Sequence, residues 1–399
     1  MMPRLVDRIA LGDLTEIYPP DLVDVVVTKA GVQQDRVRLL PSRLMVYFLL
    51  GKALFSPAPY REVLRTLAEA DRHSQQGWDG WHVPDKAAIF RARQRLGVEP
   101  FRQLLAQVGS GVATQATPGA FWRTWHLMVL DGTTVEVADT VANDKELGRP
   151  GPTRGHNPAG YPQARLMALI ESGTHAVIDA EIGSFATSEH TLAQALIPSL
   201  RPGMLVLVDQ GLPSVQLIKQ VAATGAQLVA RVNPRWKLTP QQVLADGSWI
   251  ATVRTGRRGP HRERDAVRVR ALEYVLDDPG RDAREHYRLI TTIRDADTAP
   301  AAQLGALYHE RWEAETTLAE WKSIQIGARH VLTSKSPELV AQEIYAHLAV
   351  YTGVRRLMHR VATQGGAVLD PDRLSFGAAV RAVRRSVTAG AFPPGAARR

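Results

Sequence analysis

The sequence contains no cysteine, which excludes disulfides, cysteine-ligated zinc and thiol catalysis. No apolar run is long enough to span a bilayer, and the first residues, Met1-Met2-Pro3-Arg4-Leu5-Val6-Asp7-Arg8, lack the apolar core of a signal peptide. Both absences predict a cytoplasmic protein without membrane contact. There is no glycine-rich loop followed by Lys-Ser or Lys-Thr and no glycine-framed serine nucleophile, so neither ATP dependence nor Ser-His-Asp hydrolysis is expected. Acidic residues are the minority: Lys and Arg outnumber Asp and Glu by 49 to 40, for a net charge of +9 over 399 residues. Many of these cations are arginines, which suit bidentate phosphate contacts and favour nucleic acid as a partner. A basic, soluble surface would read the same way. At 45% hydrophobic residues the chain can bury a substantial core in two or three domains.

The first part, residues 1–113, reads as helical: a short helix over Leu22–Val27, an apolar one over Leu40–Leu50, and one that begins at Pro59. After the polar stretch Gln75–Asp85, Lys86–Leu96 forms a basic helix closed by Gly97, with Arg91 and Arg95 four apart and Arg93 off their line. Such a helix suits the recognition position of a helix-turn-helix, and a bundle helix with a solvated basic face reads no differently. Thr114–Gly119 reads as a linker. Strands then follow: Leu127–Leu130, Thr133–Val137, Arg165–Ile170 and Ala176–Ala180. A helix over Glu189–Ile197, a strand over Leu205–Val208, a helix over Ser214–Ala223 and a strand over Gln227–Arg231 come next. This pattern predicts an α/β layer around a mixed sheet over 120–232. Period-two segments such as Val267–Leu272 and His286–Ile293 make 233–300 a β-rich insertion, 301–385 returns to helices, and 386–399 is rich in Gly, Pro and Ala and reads as disordered. In the helix opened by Pro337, the apolar stripe Val340, Ile344, Leu348 and Tyr351 is expected to pack on the sheet.

Three acids stand out. Asp131 ends the run Leu127-Met128-Val129-Leu130, Asp209 ends Leu205-Val206-Leu207-Val208, and Glu315 lies in a charged helix. Acids at the ends of buried strands are held rigidly, and Gly132 and Gly211 beside them leave room for a turn or a phosphate. Separations of 78 and 106 residues are too long for a local metal loop, so the fold must assemble the site. Such a set can hold divalent ions, two of them about 4 Å apart, and work on a phosphodiester. Capping of the strand ends is the plainer role for the two aspartates. Tyr308, Arg311, Glu315 and Lys322, at offsets of 0, 3, 7 and 14, form one helical stripe that sets cations beside the third acid. Asp139, Asp144 and Glu146 lie in a polar segment and read as surface charges, His126 as structural, and His190 as either a cleft residue or a solvated one.

These words resemble the bacterial insertion-sequence transposases whose catalytic acids are Asp, Asp and Glu, in the branch with a Tyr-x2-Arg-x3-Glu-x6-Lys signature. The signature is complete in Tyr308, Arg311, Glu315 and Lys322, and Asp131-Gly132-Thr133, Val208-Asp209-Gln210-Gly211, Gly160–Leu166 and Gly173–Ala176 extend the likeness from about Leu14 to Arg384. Near relatives read Asp-Arg-Gly-Phe at the second acid, where this chain has Asp209-Gln210-Gly211-Leu212. The resemblance implies an RNase H-like catalytic core interrupted by the β-rich insertion and preceded by the helical domain. It implies that Asp131, Asp209 and Glu315 bind two Mg2+ or Mn2+ ions, and that Tyr308, Arg311 and Lys322 position double-stranded DNA at the transposon ends. Arg91, Arg93 and Arg95 are the candidate DNA contacts of the helical domain. The activity implied is cleavage of those ends and strand transfer into target DNA, by a homodimer in the DNA complex. A catalytically silent DNA-binding relative and a metal-dependent nuclease are the alternative readings.

Overall fold

A computed structural model describes residues 11–34, 39–69, 84–151, 160–254, 266–276, 285–328, 330–364 and 369–388. The amino-terminal octapeptide, most of the polar stretch after Gln75 and the tail from Gly390 lie outside the described residues.

Among the described residues a 310 turn (Gly12–Glu16) and five α-helices open the fold: α1 (Pro20–Lys29), α2 (Ser42–Leu54), α3 (Tyr60–Glu69), α4 (Lys86–Leu96) and α5 (Glu99–Gly109). Asp85 caps α4 by accepting from the Ala88 amide, and Gly97, at φ 65°, ends it. The core then runs β1 (Phe121–Trp122), β2 (Trp125–Glu136), α6 (Val141–Leu147), β3 (Gln163–Glu171), β4 (Val177–Ser184), α7 (Glu189–Leu196), β5 (Met204–Val208), α8 (Val215–Ala223) and β6 (Gln227–Arg231). The insertion supplies β7 (Gln242–Val243), β8 (Trp249–Arg254), β9 (Ala266–Leu276) and β10 (Glu285–Thr291). Helices α9 (Ala301–Tyr308), α10 (Trp312–Glu320), α11 (Pro337–Thr363) and α12 (Phe376–Thr388) complete it.

One sheet carries all the strands among the described residues, in the order β4-β3-β2-β5-β6-β10-β9-β8-β7, with β1 paired to β2. β4, β3 and β2 run antiparallel, and β2, β5 and β6 are parallel. Three antiparallel strands joined to parallel ones, with helices on both faces, make the RNase H-like core that the sequence implies. The insertion is not a separate module. β10 pairs antiparallel with β6, so the insertion strands extend the core sheet past its parallel edge.

Alternation along the central strands sorts their side chains onto two faces. Leu127 and Val129 of β2 and Leu205 and Leu207 of β5 face a core shared with α1–α5, α9, α10 and α11, while Met128, Leu130, Val206 and Val208 face the layer of α7 and α8. The helical region therefore shares its core with the catalytic half. In α11 the stripe Val340, Ile344, Leu348 and Tyr351 is buried as its spacing predicts, but α11 runs between the sheet and the amino-terminal helices rather than on the sheet alone. Thr114–Gly119, expected as a linker, is a series of turns fixed to α11 by a 2.8 Å hydrogen bond between Thr117 Oγ1 and His359 Nε2.

The two strands expected on either side of Asp131 are one strand, β2, in which Asp131 pairs with Ala168 and Gly132 with Met167. Gly132 makes no turn. A Cβ there would lie 3.0 Å from Met167 Cε and 3.1 Å from the Leu166 carbonyl oxygen, so its room is used for the close approach of β3.

Candidate active site

Asp131 and Asp209 come together through strand register. Leu130 of β2 pairs with Val208 of parallel β5, which puts the next residue of each, Asp131 and Asp209, side by side. Both continue the parity of Val129 and Leu207, so both point to the face that α10 covers. Asp131 sits within its strand and Asp209 just past the end of β5, where Gly211 opens onto free space.

Glu315 arrives on a helix that changes pitch. The stripe expected from the sequence is built from the last residue of α9 (Tyr308), a 310 turn (His309–Arg311), α10 (Glu315) and a π-helical segment, Trp321–Gly327 (Lys322). A regular α-helix over the signature is thus corrected to a composite one. The stripe survives because the 310 turn, at three residues per turn, sets Tyr308 and Arg311 in line. π-Helical turns are rare local departures within α-helices and are frequent at functional sites.

The electrostatics follow from the packing. Arg311 Nη2 lies 2.8 Å from Glu315 Oε1, and Arg311 Nε lies 3.8 Å from Asp209 Oδ1. The guanidinium is 10% exposed while the two carboxylates are 42% and 45% exposed, so a nearly buried cation sits behind an open acidic surface. Burial raises the Asp131 carboxyl to about 6, with Glu315 and Asp209 adding to the shift and the Gly132 amide and Arg311 opposing it. Lys322 Nζ is 3.2 Å from Thr133 Oγ1, on the Asp131 face of β2, and its side chain is exposed. A cleft lined by Thr134, Glu136, Gln163, Lys322 and His330 opens next to it.

Several assignments change. Tyr308, expected at the DNA, is 3% exposed, and its hydroxyl donates to Asp209 Oδ1 at 3.1 Å. Tyr308→Phe is expected to keep the fold and slow turnover about fivefold, the worth of one hydrogen bond of about 1 kcal/mol; an unchanged rate would remove Tyr308 from the site. Arg93 is 2% exposed, and its guanidinium bonds Gln342 Oε1, Ser334 Oγ, the Leu339 carbonyl and Tyr60 Oη, so it cannot reach phosphate. Arg91 and Arg95, on the same helix, are exposed. Asp139 and Asp144 pair with Arg149 at the surface, and His126 pairs with Glu171 at 2.8 Å, as structural readings of these residues expect.

The three acids thus share one face, but they do not close to single-ion distance. Among the described residues, the trio whose ligand atoms all lie within 4.8 Å of one another is His175, Glu313 and Asp372. Sequence reasoning passed over that trio, whose members come from a strand-connecting turn, α10 and a late 310 turn.

Residues 8–106 match the family described as insertion element 4 transposase N-terminal, and residues 126–352 match the transposase DDE domain family. Transposase InsG for insertion sequence element IS4 of Escherichia coli (strain K12) is 28% identical over 382 residues, which cover 92% of this chain and 81% of that protein. Among solved structures, piggyBac transposase in a synaptic complex with hairpin DNA aligns with 94% of this chain and 79% of its own at 13% identity and a TM-score of 0.48.

Proposed function

The chain belongs to the transposase DDE domain family, and from that premise we propose that it is a metal-dependent DNA transposase whose catalytic acids are Asp131, Asp209 and Glu315. The observation that carries this reading is the register of β2 against β5, which sets two aspartates side by side beneath the helix of the third acid. The donor set fits hard divalent ions: three carboxylates, two of them open to solvent, and a third raised by burial with its acidic neighbours adding to the shift. Mg2+ or Mn2+, as two ions, would supply polarisation of the scissile phosphate and a nucleophilic oxygen at neutral pH.

The chain's own groups do the rest. Asp131 and Asp209, held by neighbouring strands, fix the position of the phosphodiester relative to the sheet. Tyr308 orients Asp209. Arg311 is the counter-charge that keeps Asp209 and Glu315 together before an ion or a phosphate enters. The exposed Lys322 reaches a DNA backbone laid along the π-helical segment, and Arg91 and Arg95 give the amino-terminal helices a second phosphate contact. The substrate is double-stranded DNA at the transposon ends, the product is joined to target DNA, and a homodimer brings two ends together in the cytoplasm, at the nucleoid. No helix among the described residues is long and apolar enough to cross a membrane.

The test is cleavage and joining of DNA bearing the element's flanking ends by purified protein with Mg2+ or Mn2+. Cleaved and joined products support the reading; cleavage without joining makes the protein a nuclease, and binding without cleavage makes it a silent relative. For Lys322→Ala, the plot of log binding constant against log salt concentration is expected to lose about 0.9 of its slope, the release of one phosphate's counterions. An unchanged slope leaves Lys322 as a partner of Thr133 alone.

A further inference from the structure

A second group of ligand atoms lies on the far side of α10 from Glu315, in a cleft of about 400 Å³ that His175, Glu310, Glu313 and Asp372 help to line. His175 follows the Gly173 turn between β3 and β4, with its backbone in the left-handed region at φ 60°. Asp372 stands on the 310 turn Pro371–Arg373, its amide bonded to Asp370. The Gly173 amide donates to Glu313 Oε2. We propose that His175, Glu313 and Asp372 form a binding site for a divalent transition-metal ion of the zinc type, separate from the catalytic acids.

The hydrogen bonding of His175 carries this inference. The Thr317 hydroxyl donates to the Glu313 carbonyl at 2.8 Å and lies 3.0 Å from His175 Nδ1, which ties the imidazole to α10. The Arg355 guanidinium, paired with Glu320, lies 3.4 Å from the same nitrogen. The other ring nitrogen, Nε2, is buried against the cleft with Asp372 Oδ1 2.8 Å away and no hydrogen bond of regular geometry. A cation between these atoms would join them. A proton between Nε2 and Asp372 would serve those two atoms only, whereas Glu313 supplies a third donor within 4.8 Å. Imidazole nitrogen and carboxylate oxygen are both zinc donors, and an imidazole held at its other nitrogen is oriented for an ion. His175 is 3% exposed and Asp372 is open to solvent, so the site has a rigid floor and an entrance.

The ion would tie α10 to two turns distant in sequence and so brace the helix that carries Glu315. The experiment is equilibrium dialysis of the full chain, freed of metal by chelator, against Zn2+ alone, with Co2+ absorption as a spectroscopic check. We expect a zinc equivalent that survives Asp131→Asn and binds at least tenfold more weakly in Asp372→Asn, an exposed substitution that leaves the fold intact, and in His175→Gln. Equal zinc affinity and stoichiometry in the parent and Asp372→Asn would overturn the proposal, as would a parent that binds no zinc or loses it only in Asp131→Asn. Neither result bears on the catalytic reading, whose test is DNA cleavage.

Discussion

Replacement of Asp131, Asp209 or Glu315 by Ala, one at a time, is expected to lower strand cleavage by about 10³-fold or more while the chain stays folded. A metal-bound phosphoryl transfer draws several kcal/mol of charge stabilisation from its ion, and each 1.4 kcal/mol or so is a factor of ten in rate. Loss of one of three donors removes much of that. Stability is expected to change little, because the Asp209 and Glu315 side chains are 45% and 42% exposed and their partner Arg311 keeps the other acid when one is removed. The check is a gel assay of end cleavage beside a urea unfolding curve. Retained metal-dependent cleavage in each single variant would reject a joint catalytic role.

The second large effect is on stability. Arg93→Ala is expected to destabilise the protein by about 3–5 kcal/mol, the range for removal of one partner from a buried charged network. Arg93 bonds Gln342, Ser334, Tyr60 and the Leu339 carbonyl, and its charge helps to hold the fully buried Glu343 carboxyl below its ordinary pKa. Its loss leaves Glu343 with the Ser334 amide and hydroxyl and the weaker field of Lys52. Arg91→Ala, on the exposed face of the same helix, is expected within about 0.5 kcal/mol of the parent. Urea midpoints of the two variants decide between them. If Arg93→Ala unfolds at the parent midpoint, the guanidinium is not the tie between α4 and α11 that its bonds describe. Deletion of the whole helical region is a poorer probe, since α2 and α5 pack on α11 and the deletion would strip part of its core.

The acids were legible in the sequence because each follows or sits in a distinctive context. The runs before Asp131 and Asp209 fix strand parity, and parity fixes which face the acids share. Strand ends were less legible. Gly132 reads as a stop, yet an extended glycine can also let a neighbouring strand approach, and only the β2–β3 pairing decides which. Arginine was the weakest guide. Arg93, Arg270 and Arg355 count towards the positive charge, but all three are buried and tied to side chains far away in sequence, such as Gln342 for Arg93 and Glu320 for Arg355. Composition counts their charges without placing them. Tyr308 shows the same limit: the signature marks it as important, and only the fold turns its hydroxyl towards Asp209. The π-helical segment carries no period that sequence reading could separate from an α-helix.

The most direct test of the central claim is the metal preference of Asp209→Cys in the end-cleavage assay. A thiolate is a soft ligand that binds Mg2+ poorly and softer divalent ions better. If Asp209 is a ligand to the catalytic ion, the variant is expected to be inactive with Mg2+ and to regain measurable cleavage with Mn2+, while the parent cleaves with either. Cleavage by the variant in Mg2+ at the parent's rate would contradict the account, because Asp209 would then hold no ion that the reaction needs.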